Sequence, residues 1–107
     1  MRVVAGELGG RKLVSPEGTS TRPTTDRARE AIFNALGSAG LIDGALVADL
    51  FAGTGAVGIE ALSRGAAHCT FVERDRNALR ALEENVDTLD LAQRTRILRS
   101  DASQAAA

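Results

Sequence analysis

The sequence predicts an α/β fold: a short parallel sheet with helices between its strands, preceded by a β-hairpin and a helix. Three observations carry that prediction. From Leu41 onward, apolar runs of strand length alternate with amphipathic runs of helix length, the pattern of parallel strands joined by right-handed crossovers. A glycine-rich turn, Gly53-Thr54-Gly55-Ala56-Val57-Gly58, stands between an apolar strand and a helix. Acidic residues then fall at the ends of three successive strands: Asp49, Glu73 and Asp101.

The elements follow in order. Arg2-Val3-Val4-Ala5 and Arg11-Lys12-Leu13-Val14 are two strand-like runs, and Gly6, Gly9 and Gly10 between them supply a turn, which reads as a hairpin. Ser15 to Pro23 is a polar loop. A helix begins near Thr24, Thr25 or Asp26, any of which can cap it. Its apolar stripe is Ala28, Ile32, Ala35 and Leu36, with Ala31 beside it, and Gly37 ends it. Ala45 to Phe51 is a nearly continuous apolar run, as expected of a strand covered on both faces. A helix from about Val57 to Arg64 follows, closed by Gly65. His68 to Val72 is a second strand ending at Glu73. Asp75 caps a longer helix with the stripe Ala78, Leu79, Leu82, Val86 and Leu89, and Thr95 to Arg99 forms a third strand.

Composition narrows the function classes. A chain of 107 residues, 44% hydrophobic and 25% charged, is one folded domain or part of one. One cysteine excludes an internal disulfide and a Cys-rich metal site, and suits a reducing, cytoplasmic setting. No apolar run approaches the roughly 18 residues of a membrane span, and the N-terminus lacks a signal-peptide core. Neither a metal nor a membrane partner is expected. Residues 1–40 carry six basic and four acidic side chains, a net of +2; the rest carry seven and ten, a net of −3. Twelve of the 13 cations are Arg, the side chain whose planar fork suits phosphate.

The glycine turn lets the backbone approach a ligand at Gly53 and Gly55, while Gly58 permits close helix-to-strand packing. In an open parallel sheet the C-terminal strand ends face the ligand crevice. Glu73, 18 residues after Gly55, is placed to accept from ribose hydroxyls, and Asp101 from an adenine amine. Two ligand classes fit: a nicotinamide dinucleotide, and S-adenosylmethionine (SAM). Asp49, four residues before Gly53, attracts the ammonium and sulfonium of SAM and repels a pyrophosphate. At 4 Å that interaction is worth about 1 kcal/mol in water and about 4 at an effective dielectric of 20. The sign favours SAM. His68 and Cys69, adjacent on one strand, point to opposite faces and cannot act together; Cys69 reads as a buried structural residue. Arg94, Arg96 and Arg99 read as an edge and surface feature.

These residues also carry a resemblance. Asp49-Leu50-Phe51-Ala52-Gly53-Thr54-Gly55 resembles the cofactor motif of class I methyltransferases. Met1-Arg2-Val3-Val4-Ala5-Gly6, Gly10-Arg11-Lys12-Leu13 and the stretch from Thr21 to Asn34, with its Arg-Pro-Thr-Thr-Asp-Arg-Ala-Arg-Glu core, resemble the RsmD family. Its members are bacterial enzymes that methylate N2 of a guanine in 16S ribosomal RNA. The resemblance runs from Met1 to about Asp101. It implies a Rossmann-like class I SAM-dependent methyltransferase fold, here with a partial sheet behind the N-terminal hairpin and helix. It implies that Asp49, Phe51, Gly53 and Gly55 cradle SAM, that Glu73 holds the ribose, and that Asp101 and Ala102 contact the adenine. Arg22, Pro23 and Thr24 would close over the cofactor. Arg2, Arg11 and Lys12 would lie against phosphates of 16S rRNA or of the assembling small ribosomal subunit, positioning it without reading bases.

The sequence departs from the family in one respect. Members continue through a fourth strand ending in Asp/Asn-Pro-Pro-Tyr/Phe, which grips the target amine, and the only prolines here are Pro16 and Pro23. No catalytic residue is therefore assigned. Residues 1–40 are expected to form a basic RNA and cofactor-lid segment, and residues 41–107 the SAM-binding βαβαβ half, cut before that motif. Without its neighbour the Asp49 strand is expected to leave an apolar edge open. A fragment of this kind should bind SAM weakly and transfer no methyl group. The alternatives are a nicotinamide-dependent oxidoreductase fragment and a non-enzymatic RNA-binding module.

Overall fold

The computed structural model of the protein describes residues 1–15 and 26–100. Its elements run α1 (Asp26–Ser38), β1 (Leu46–Asp49), α2 (Ala56–Ser63), β2 (His68–Glu73), α3 (Arg76–Thr88), a 3-10 turn (Ala92–Arg94) and β3 (Thr95–Arg99). The strands form a parallel sheet in the order β1-β2-β3, with Val47 beside Cys69 and Cys69 beside Thr95. That register sets Val47 and Asp49, Cys69 and Phe71, and Thr95 and Ile97 on one face, since side chains alternate along a strand.

This face is the core. Ile59 and Leu62 of α2, Cys69 and Phe71 of β2, and Leu82 of α3 are fully buried in one cluster with Phe33 of α1 and with Val3 and Leu13 of the N-terminal segment. Gly58 explains how α2 approaches so closely. A Cβ there would overlap the Phe71 ring and stand 2.6 Å from Cys69 Sγ. On α3 the buried residues Ala78, Leu79, Leu82 and Val86, with Leu89 just beyond, follow the expected stripe. Asp75 caps that helix by accepting from the Ala78 amide at 2.8 Å.

Several expectations need correction. β1 is covered on one face by the described residues: Leu46 is 83% exposed, Ala48 is exposed, and β1 pairs with β2 alone among them. A continuous apolar run signals burial on both faces only when helices are present on both. On α1 the buried residues are Arg29 and Phe33, while Ile32 is 52% exposed. The stripe is shifted because Phe33 offers the larger apolar surface and takes the Arg64 guanidinium over its ring at 5.5 Å. Arg29 can be buried because it is ion-paired with Asp26 at 2.6 Å and with Glu60 at 3.6 Å. Gly37 lies within α1; the left-handed residue after the helix is Gly40, φ 73°.

The hairpin forms as a short pairing. Arg2 bridges Lys12, and the Val3 amide donates to the Arg11 carbonyl at 2.9 Å, Gly10 to Val3 at 2.8 Å and Leu13 to Met1 at 2.9 Å. Arg94, read from sequence as a surface feature, is structural. Its guanidinium donates to the Leu62 and Ala66 carbonyls at 2.9 and 2.6 Å and to Glu7 at 3.0 Å, which closes the C-terminal end of α2.

Candidate functional site

The glycine turn runs from the end of β1 into α2. Gly53 (φ 54°) and Gly55 (φ 87°) are both left-handed, a conformation that disfavours any side chain. Their surroundings differ. A Cβ on Gly53 would meet nothing within 4 Å, whereas one on Gly55 would strike Leu82 of the core. Gly53 therefore borders open space, and Gly55 is demanded by packing and by its place as N-cap of α2. The sequence reading expects both glycines at the ligand; packing gives Gly55 a second reason to be glycine that Gly53 does not share.

Glu73, at the end of β2, holds this turn. Its Oε1 accepts from the Gly53 amide at 2.8 Å, and its Oε2 accepts from the Arg74 and Asp75 amides at 3.0 and 2.8 Å. Asp49, at the end of β1, accepts from the Gly58 amide at 3.3 Å in the first turn of α2, where a negative charge meets the positive end of the helix. Burial nonetheless pushes the Asp49 carboxyl above its ordinary value, the Gly58 and Phe51 amides pull it back, and the charge of Glu73 raises it again. Neither carboxylate has a cationic partner among the described residues.

Beside Glu73 opens a cleft of about 360 Å³ lined by Leu50, Phe51, Val72, Glu73, Arg74, Asp75 and Ser100. Its size suits a small ligand. Phe51 is 84% exposed and offers a ring on which a planar base can stack. Phe51 and Glu73 line this cleft, Gly53 is bonded to Glu73, and Asp49 stands at the start of α2. The expected residues Arg22, Pro23, Thr24, Asp101 and Ala102, and the caps Thr24 and Thr25, lie outside the described residues. Arg2, Arg11 and Lys12 are exposed on the hairpin; Arg2 Nη1 donates to the Gly10 carbonyl at 3.1 Å and Arg11 Nη2 to that of Thr88 at 3.5 Å.

Cys69 plays no chemical part. Burial pushes its thiol up to about 12, with the nearby Asp49 charge adding to the effect and a backbone contact at Asp49 opposing it, so no reactive thiolate forms at neutral pH. Among the described residues no group of three or more His, Cys, Asp or Glu is placed to hold a metal ion, and no helix is long and apolar enough to cross a membrane.

Sequence reasoning missed the buried polar residues that hold the turn and hairpin in place: Arg29, Glu60, Ser63 and Asn85. One signal was present. Glu60 is the single charge in the apolar helix Ala56–Ser63, and Asn85 occupies a core position three residues after Leu82.

Comparison with known proteins places this geometry. The family described as Conserved hypothetical protein 95 matches residues 1–107. YlbH of Bacillus subtilis (strain 168) is 50% identical over 105 residues, 98% of this chain and 56% of that protein. Ribosomal RNA small subunit methyltransferase D of Escherichia coli (strain K12) is 46% identical over 102 residues, 95% of this chain and 50% of that protein. The solved structure of yhhF from Escherichia coli matches 100% of this chain and 56% of its own, with a TM-score of 0.85 and 41% identity. The chain spans about half the length of the curated relatives it matches. With a family match over its whole length and a parallel α/β sheet shared with solved methyltransferases, the chain belongs to the RsmD family.

Proposed function

We propose that this chain is the cofactor-binding part of a SAM-dependent methyltransferase acting on the N2 amine of a guanine in 16S ribosomal RNA. The observation that carries the reading is the pair of carboxylates, Asp49 and Glu73, at adjacent strand ends around a left-handed glycine turn, with no ion pair to either among the described residues. That donor set fits a cationic nucleoside and opposes a pyrophosphate, so a nicotinamide dinucleotide is disfavoured.

When bound, SAM supplies a methyl group on a positively charged sulfur. Glu73 accepts from ribose hydroxyls with the acceptor capacity its three amide contacts leave. Phe51 covers the face of the base, and Asp49 balances the positive charge of the amino-acid end. Gly53 leaves room for that end where any side chain would intrude. Asp101 and Ala102 contact the adenine, and Arg22, Pro23 and Thr24 close over the site. Residues 1–40 form the RNA-facing segment and residues 41–107 the cofactor-binding half. Arg2, Arg11 and Lys12 meet phosphates of the ribosomal RNA or the assembling subunit.

The residues that orient the target amine are assigned to no position of this chain, so the chain alone binds SAM weakly and transfers no methyl group. Isothermal titration with SAM, S-adenosylhomocysteine and NAD tests the cofactor. Binding of the first two and not the third is expected, and NAD binding without SAM overturns the reading. RNA affinity that ignores both added SAM and Glu73→Ala would mark a simple RNA-binding module. Methylation of 30S particles by the chain alone would refute its incompetence.

A further inference from the structure

Asn85 is 2% exposed on α3 and touches two parts of the molecule that are far apart in sequence. Its Oδ1 accepts from the Val14 amide at 2.8 Å, and its Nδ2 donates to the Val14 carbonyl at 3.1 Å and the Thr54 carbonyl at 2.9 Å. The orientation of the carboxamide is determined, because a flip would set its oxygen against two carbonyls and its nitrogen against an N–H. Toward Val14 the side chain pairs as a neighbouring β-strand would, satisfying both backbone groups. Toward Thr54 it holds the middle residue of the turn whose preceding amide, on Gly53, donates to Glu73.

A continuous line of hydrogen bonds therefore runs from Glu73 through Gly53 and Thr54 to Asn85 and on to Val14. Val14 closes the hairpin strand that carries Arg11 and Lys12. The other strand is held separately: Glu60 accepts from the Val4 and Ala5 amides at 2.8 and 3.1 Å, and Ser63 accepts from the Leu8 amide at 2.9 Å, all on the body of α2. The two attachments divide the work, one to the helix and one to the glycine turn.

We infer that Asn85 is a positioning residue that couples the glycine turn to the basic hairpin, so that a ligand at the turn tightens the strand bearing Arg11 and Lys12. The inference rests on the cofactor reading above. Ordering the turn fixes the Thr54 carbonyl, which fixes the Asn85 amide, which in turn holds Val14. By linkage the effect is reciprocal: contacts that order the hairpin strand also favour ligand at the turn.

Hydrogen exchange of individual amides, with SAM as the probe, tests this. In the wild-type protein SAM should slow exchange at Gly53 and Gly58, and also at Val14 and at Val3, which donates across to Arg11. Slowing of about fivefold or more at Val14 is expected, the lower end of measured coupling between sites. In Asn85→Ala the slowing at the turn persists and that at Val3 is lost. Slowing at the turn without slowing at Val14 in the wild type overturns the inference, as does transmission to Val3 that survives in Asn85→Ala. If SAM slows nothing at the turn, the cofactor reading itself has failed and the coupling falls with it. Should Asn85→Ala lose its far-UV helical signal, Asn85→Asp takes its place. It keeps the acceptor for Val14 and removes the donor to Thr54, and must likewise abolish transmission.

Discussion

Glu60 and Glu73 each accept backbone amides from a glycine-bearing segment, and they have opposite surroundings. Glu60 is fully buried. It accepts from the Val4 and Ala5 amides of the hairpin and from Arg64 Nε at 2.8 Å, and it is ion-paired with Arg29, whose Nε lies 3.6 Å away. Arg29 in turn donates to Asp26 at 2.6 Å and to the Arg2 carbonyl. Glu73 takes the Gly53 amide and two amides of its own turn, then faces an open cleft. Around Glu60 the charge is balanced inside the chain and the region is closed. Around Glu73 and Asp49 no ion pair is made among the described residues, and in the reading proposed above the cation of the ligand meets them. The lesson is that the count of amide contacts does not separate structural from functional carboxylates; the presence of an internal counter-charge does.

The largest effect should come from the closed region. Glu60→Ala strands Arg29 without its buried partner and frees the Val4 and Ala5 amides, a loss of about 3–5 kcal/mol that urea unfolding followed by far-UV circular dichroism would register. Unchanged stability would erase the distinction between the two regions. At the open region Glu73→Ala should leave the fold intact and weaken SAM by about 1.5–3 kcal/mol, the range for hydrogen bonds to a charged group, measured by calorimetry.

Acidification sharpens the comparison next. The Asp49 carboxyl is raised, so in the folded chain it takes up a proton at a higher pH than in the unfolded chain. Its ionisation opposes folding above the ordinary carboxylate range, and that penalty lifts as pH falls through the raised value. Ligand attraction runs the other way: SAM affinity should drop over the same interval, and Asp49→Asn should flatten that dependence. Asp26 behaves oppositely. Partial burial raises it, but the Arg29 hydrogen bond, the Arg2 amide and nearby positive charges outweigh this and hold it low, so its contribution to stability is present above its unfolded value and lost on acidification through the folded one. The smallest effect belongs to the hairpin surface. Lys12→Ala should reduce the salt dependence of RNA binding by about 0.7 in log–log slope, one phosphate contact on single-stranded RNA, without touching SAM affinity.

Local chemistry made much of the fold legible. The sequence places α2 one residue from its observed limits, and β3 and the Asp75 cap where the structure has them. Each follows from short-range signals: a stripe, a cap or a glycine. The nearness of Phe51, Gly53 and Glu73 was legible in the same way, because strand ends in a parallel sheet converge. What stayed hidden was polar and distant. Nothing near Arg29 announces that it is buried against Glu60, 31 residues on, and nothing near Asn85 announces Val14, 71 residues back. A charged or amide side chain reads as exposed until its partner is known.

The sequence by itself determined the order of strands and helices, the parallel sheet and the placing of Asp49 and Glu73 at strand ends beside the glycine turn, because periodicity, capping and strand-end placement are properties of neighbouring residues. Tertiary structure alone decided that Glu60 and Asp26 are paired with arginines while Asp49 and Glu73 make no ion pair among the described residues, which glycine serves packing and which borders open space, and which face of β1 the helices cover. Those outcomes depend on groups brought together from opposite ends of the chain, where pairing of buried charge and the room left for a Cβ are settled by distance in space.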